Sequence, residues 1–297
     1  MIINSANLRA LFNGFSTAYQ GGFDGVPPSY GDVAMVVPSS TKQQEYGWLG
    51  QMPRVREWIG DRTIQNLNLY NYTIRNRPFE LTIGVDRDDL EDDNLGIYAP
   101  MFAEMGRAAA SFPDELVWPL LNAGFVTPCY DKQPFFDTDH PVLDAAGRTV
   151  SVSNKSPGAG VPWFLVDDTR MVKPIVWQNR KPFNFVRMDQ DNDEVVFARK
   201  EYRYGVDSRC NAGYGFWQLA YGSQLPLTTD NYAAARDAMI AMKGDHGRPL
   251  GLRPTKLFVP PALEPQARQV LLAEYNTDRS SNIWRNTAVP MVQPWLA

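Results

Sequence analysis

Along residues 5–20, SANLRALFNGFSTAYQ, apolar side chains recur at Leu8, Leu11, Phe12 and Phe15. That spacing predicts a helix, with Ser5 placed to cap it. GGFDGVPPSYGD then interrupts regular structure, so the helix reads as an arm on a Gly/Pro-rich tether, leaning on something else. DVAMVVPSS reads as a strand. Residues 63–70, TIQNLNLY, set Ile64, Leu67 and Leu69 against Gln65, Asn66 and Asn68. Residues 72–85, YTIRNRPFELTIGV, alternate again, and Asn71 lies between the two runs. Two polar-faced strands around a turn make a long hairpin. Its aromatic residues Trp48, Trp58, Tyr70 and Tyr72 have no obvious local core, and an isolated hairpin is barely stable in water. The pattern therefore places the hairpin on a neighbouring surface.

The acidic block RDDLEDDN, 87–94, precedes a run in which Ile97, Met101, Met105, Ala108, Phe112, Leu116 and Leu120 step by three or four. This predicts one long helix or two over 95–124, with the acidic residues at the positive end of its dipole and Gly124 after it. Pro100, Pro113 and Pro119 imply a start and kinks or a break. Residues 125–162 are loop-rich. WFLVDDT, VKPIVWQ, NFVRM and EVVFARKEYRYGVDSRCN read as strands, and YGFWQLAYGS continues them. Near the end, DNYAAARDAMIAMKG (230–244) predicts a helix capped by Asp230, KLFVP a buried strand, and LEPQARQVLLAEY a second helix. RNTAVPMVQPWLA is strand-like. The class is α+β.

Composition narrows this picture. The 297 residues are 44% hydrophobic, enough for a real core in one large domain or two smaller ones. Eight Trp with 23 Pro and 22 Gly suit a core that carries extended arms and loops. Lys plus Arg is 29 and Asp plus Glu 33, a net charge of −4, so nucleic acid would be met as bulk polyanion without sequence readout. Cys129 and Cys210 are far apart and form neither a disulfide framework nor a metal pattern; a reducing compartment fits both as small core residues. No window approaches the roughly 18 apolar residues of a membrane span, and MIINSANLRALFNGF lacks signal-peptide character.

Candidate chemistry is thin. FFDTDHP (135–141) offers Asp137, Asp139 and His140 as a metal site or the acid–base part of a hydrolase. Asp and Thr are also turn formers, and Pro141 biases His140 to an extended shape; this explains the stretch without a ligand. KGDHGRPLGLRP holds the other histidine, His246, with Arg248. Its glycines follow a helix instead of opening one, so it reads as a helix exit and turn and not as a phosphate cradle. There is no GxSxG, HExxH or helix-opening GxGxxG.

The order of parts is an arm, a long hairpin, a long helix, a β-rich body and a compact α/β unit. It resembles the HK97-like capsid fold of tailed phages. The phrases SSTKQQEYGWLG, DDLEDDNLGIYAP, FFDTDHP, KEYRYGVDSRCNAGYGFWQLAYGS and KGDHGRPLGLRP resemble the major head subunit of Mu-like transposable phages and prophages, over nearly the whole chain. The resemblance implies an N-terminal arm over 1–32 and an E-loop region over 33–94, its hairpin at about 42–82. It implies a peripheral domain over 95–219 with a spine helix at 95–123. An axial domain over 220–285 and a C-terminal segment over 286–297, returning to the body, complete it.

The same resemblance implies a non-enzymatic subunit that self-assembles into hexamers and pentamers of an icosahedral head around double-stranded DNA. The head is put together in the bacterial host cytoplasm. It implies no cofactor, metal or membrane. Its partners would be other copies, a scaffolding protein, a portal, a decoration protein and non-specifically held DNA. Trp48, Trp58, Tyr70 and Tyr72 become inter-subunit contacts of the E-loop, since aromatic anchors contribute most at interfaces; His246 and Arg248 become an axial-domain turn. Some family members cross-link an E-loop lysine to an asparagine; Lys42, at the loop's base, is the only lysine near it and has no matched partners, so no cross-link is expected. The helix starting at residue 5 leaves no room for a long scaffold segment, which implies a separate scaffolding protein. Two rivals stand beside this reading: an encapsulin-like compartment shell, and a metal-dependent hydrolase using Asp137, Asp139 and His140.

Overall fold

A computed structural model of the protein describes residues 4–49, 72–92, 95–190, 193–276 and 278–297. In chain order it begins with α1 (Ser5–Asp24), β1 (Ala34–Pro38), β2 (Gln43–Glu45), β3 (Thr73–Arg75), β4 (Arg77–Asp86), α2 (Arg87–Glu91) and α3 (Tyr98–Ala123). Then come β5 (His140–Leu143), β6 (Thr149–Val152), β7 (Lys155–Ser156), β8 (Trp163–Val166), β9 (Ile175–Met188), α4 (Glu194–Arg199) and β10 (Glu201–Tyr214). The last elements are β11 (Ala220–Ser223), α5 (Thr229–Ile240), β12 (Lys243–Gly244), β13 (Arg248–Pro249), β14 (Lys256–Val259), α6 (Glu264–Leu271) and β15 (Val289–Val292).

Two sheets organise these elements. One has the order β1-β9-β10-β4 and the other β15-β14-β8-β11-β7. β9 and β10 are a long antiparallel pair, and β1 adds parallel to β9. The second sheet places β7 and β8 beside β11, with β14 and β15 beyond β8. Two hydrophobic clusters result. The larger surrounds the second sheet and takes in Trp118, Trp163, Phe164, Trp217 and Phe258. The smaller is aromatic: Phe15, Phe102, Tyr202 and Tyr204, walled by α1, α3 and the outer ends of β4, β9 and β10. α3, β9 and β10 contribute to both.

The arm helix leans on its own chain. Leu8, Phe15 and Tyr19 are buried against α3, with Phe15 stacked on Phe102 at 4.3 Å between ring centroids. Two glycines set the approach. A Cβ on Gly22 would lie 1.8 Å from the Ala103 carbonyl oxygen, and one on Gly106 would lie 2.0 Å from that of Tyr19. Backbone meets backbone at this crossing, which only glycine permits. The tether is then pinned to α3. Ser29 N–H donates to both oxygens of buried Asp114 at 3.1 Å, and the Trp118 indole donates to Ser29 Oγ at 2.9 Å.

Several sequence expectations need adjustment. The cap of α1 is Asn4, whose side chain accepts from Asn7 N–H, not Ser5. The cap of α5 is Thr228, not Asp230. α3 runs unbroken through Pro113 and Pro119. IVWQ of the first expected strand and NFVRM fall in one strand, β9, which tolerates Pro182 at an irregularity of its pairing. EVVFAR is a helix, α4, ended by Lys200 in the left-handed region at φ 54°. The expected strand at 63–70 lies outside the described residues.

Candidate functional site

The hairpin base is clamped to the body by buried amides. β2 and β3 pair antiparallel from Gln43–Arg75 to Glu45–Thr73. Below them Gln178, fully buried on β9, accepts from Tyr46 Oη at 2.8 Å and donates to Asn76 Oδ1 at 2.7 Å and Ile74 O at 3.2 Å. Asn76 passes the chain on, donating to Ser39 Oγ at 3.0 Å and Thr41 O at 2.8 Å. Each group has a partner, so the network fixes where both strands leave the body.

Trp48 and Tyr72 belong to this clamp. The Trp48 ring lies 5.7 Å from Phe216 and 6.2 Å from Tyr46. Tyr72 Oη accepts the Tyr214 N–H at 2.8 Å, and burial pushes its phenol up to about 12. The expectation that these two rings lack a local core is therefore corrected: their core is built by β10 and the segment after it. Trp58 and Tyr70 lie outside the described residues. Lys42, whose carbonyl accepts the Asn76 N–H at 3.0 Å, is at the foot of the same clamp.

FFDTDHP does not converge on a metal. Phe135 and Phe136 are fully buried anchors. Asp137 accepts the next N–H, Thr138, at 2.7 Å, and Asp139 accepts from Ser151 across the β5–β6 hairpin. His140 turns away from both. Its ring is fully buried, stacked on Trp217 at 3.9 Å and 8° between planes. Nδ1 meets Asp131 Oδ2 at 2.6 Å and Nε2 meets Asn154 Oδ1 at 3.2 Å. Asn154 is oriented by its surroundings. Its Nδ2 faces the carbonyls of Phe135, Trp217 and Ala220 at 2.9, 3.2 and 3.3 Å, and its Oδ1 accepts the Asp137 N–H at 2.9 Å. An acceptor therefore faces Nε2, which must donate.

Among the described residues, Cys129, Asp131 and His140 are a set of ligand-type side chains whose atoms lie within 4.8 Å of one another. Their contacts are already spent on each other. The Cys129 thiol donates to Asp131 Oδ1 at 3.1 Å, and burial, with Asp131 beside it, pushes that thiol far up. The cluster is a hydrogen-bonded pin joining the 129–140 loop to β7, β11 and Trp217. The hydrolase trio Asp137, Asp139 and His140 is overturned by this geometry. Sequence reading missed Asp131, Asn154 and Trp217; no local spacing announces them.

The second histidine is placed differently. His246 and Gly247 both have positive φ, 63° and 72°, and His246 is exposed. Asp245 Oδ1 accepts the Leu143 N–H at 3.0 Å, tying this turn to the β5–β6 hairpin, while Arg248 and Lys243 begin the short β12–β13 pair.

The comparisons with known proteins agree with one another. The model of the family described as "Mu-like prophage major head subunit gpT" matches residues 8–296. The chain belongs to that family. The major capsid protein of Escherichia phage Mu is 44% identical over 95% of both chains, and the Mu-like prophage FluMu major head subunit of Haemophilus influenzae is 43% identical over 91% of this chain and 90% of that one. Among solved structures, a chain of the bacteriophage JBD30 procapsid matches with a TM-score of 0.86 and 44% identity, covering 99% of this chain and 100% of that one. A chain of the JBD30 capsid matches at 0.80 and 33%, covering 100% of both. The protein is thus a head-shell subunit with the HK97-like phage capsid fold, a structural protein of the virion and not an enzyme. No helix among the described residues is long and apolar enough to cross a membrane.

Proposed function

We propose that the chain forms hexameric and pentameric rings that close into an icosahedral head around double-stranded DNA, with a scaffolding protein, a portal and a decoration protein as further partners. The observation that carries this is the family match over 8–296 joined to whole-chain similarity to a procapsid subunit. A shell is held by many modest contacts whose sum is large. In this reading the extended E-loop hairpin lies over a neighbouring copy. Trp58 and Tyr70 are its contact residues, and Trp48 and Tyr72 brace it from the body side. The turn with His246 and Arg248 belongs to the axial unit. That unit is read as 220–285, and its strands share a sheet with β7 and β8.

Negative-stain microscopy and sizing of the chain, expressed alone and with the products of neighbouring genes, test this. Closed shells, tubes or rings of five or six are expected. A stable monomer under every condition overturns it. Trp58→Ala should lower shell yield and shell melting temperature without unfolding the free subunit; unchanged assembly removes the anchor role.

A further inference from the structure

Where β1 ends beside the middle of β9 and β10, an open pocket of about 340 Å³ is lined by Ser39, Ser40, Arg180, Lys181 and Arg209. The strand pairing builds it. Asp207 pairs with Asn184, Arg209 with Lys181, and Cys210 with Asn179, so β9 carries an extra residue on each side of Lys181. Side chains of consecutive strand residues normally point to opposite faces. Bulges re-aim them, and here Arg180 and Lys181 line one pocket. Arg209 stands opposite Lys181, a cross-strand pairing of like charges that costs stability. Only one of the three cations is answered among the described residues: Lys181, by Asp207. Arg180 Nη1 is buried with no hydrogen-bond partner. Leaving such a donor unmade is costly, and a carboxylate matches the planar fork of a guanidinium.

The complementary charge sits farther along the same sheet, at its end beside α2. β10 starts at Glu201, paired with Asp86, and reaches Arg209 eight residues later, roughly 26 Å at about 3.3 Å per residue. Asp86 opens α2, and Asp88 and Asp92 lie on one face of it at i and i+4. The Asp88 carboxyl is 67% exposed with Lys200 no closer than 3.8 Å, and Asp92 is exposed. Opposite charges set this far apart on one subunit suit a heterologous contact, which closes a ring when its rotation about an axis returns on itself. We infer that the Arg180–Lys181–Arg209 pocket of one copy receives the Asp88/Asp92 face of the next. This rests on the ring-forming reading above and names the contact that sets ring direction.

Charge reversal tests it. Arg209→Glu, and separately the pair Asp88→Arg with Asp92→Arg, should each cut the fraction of wild-type-like rings or shells about tenfold at low salt. Circular dichroism should show the subunit still folded. Combining the two sets should restore most of the loss. Carbodiimide coupling of wild-type particles should join Lys181 to Asp88 or Asp92 between copies. Unchanged assembly in the single sets, or no rescue on combining them, overturns the contact. So does an Arg209→Glu variant that assembles normally but retains less nucleic acid, which would make the pocket a phosphate site. Failure of the ring reading itself would appear in the wild type, as a subunit that never associates.

Discussion

The chain's two histidines each follow an aspartate in a polar loop, and the fold uses them in opposite ways. His140 is sealed between Trp217, Asp131 and Asn154, with both ring nitrogens engaged. His246 is exposed on a left-handed turn, and the fastening there is made by Asp245. An Asp-His dipeptide therefore says nothing about role. What matters is whether distant elements close over it. At 140 they do, because the paired rings of Phe135 and Phe136 pull the loop into the larger core. At 246 the turn carries Gly244 and Gly247, which have no side chain to bury, and Asp245 ties it down from the surface.

The contrast can be broken most easily on the buried side. His140→Ala should cost about 3–5 kcal/mol, because a fully buried ring stacked on Trp217 is lost and Asp131 Oδ2 and Asn154 lose a partner. Urea unfolding of the subunit measures it, and a loss below about 1 kcal/mol would show that the pin is ornamental. Asn154→Leu should come next, at about 1–3 kcal/mol, through carbonyls left without donors; hydrogen exchange should quicken at Asp137. On the exposed side, Asp245→Ala should cost only about 1 kcal/mol, the worth of one hydrogen bond to Leu143. His246→Gly should have the smallest effect and the opposite sign, up to about 1 kcal/mol of stabilisation from relief of the left-handed backbone. If His246→Gly were instead as damaging as His140→Ala, the turn would have a ligand or partner that the contacts described here lack.

Local periodicity made α1, α3, α5 and α6 legible, since a helix is written within a few turns of sequence. The failures are those of long-range structure. EVVFAR has strand-like composition, yet only Val196 on it is buried and Phe197 is 86% exposed, so packing on one side selects a short helix. Trp48 and Tyr72 looked coreless because their partners Phe216 and Tyr214 are more than a hundred residues away. His140 was visible as a candidate but its role was not. Its partners lie 9 and 14 residues away in opposite directions, a spacing with no periodic signature. The family resemblance was legible throughout because it rests on long phrases, and one of them, FFDTDHP, contains His140 without the partners that fix it.

β9 and β10, each 14 residues, run side by side from the larger core to the aromatic one, roughly 45 Å at about 3.3 Å per residue. Each strand enters both cores, so a pull that separates the cores runs along two continuous backbones, which the bonds lying across the strands hold together as one unit. α3 spans the same gap alongside. The subunit thus has a stiff beam between its cores, and a wall built from such beams would yield under tension at the joints between subunits before it yields within them.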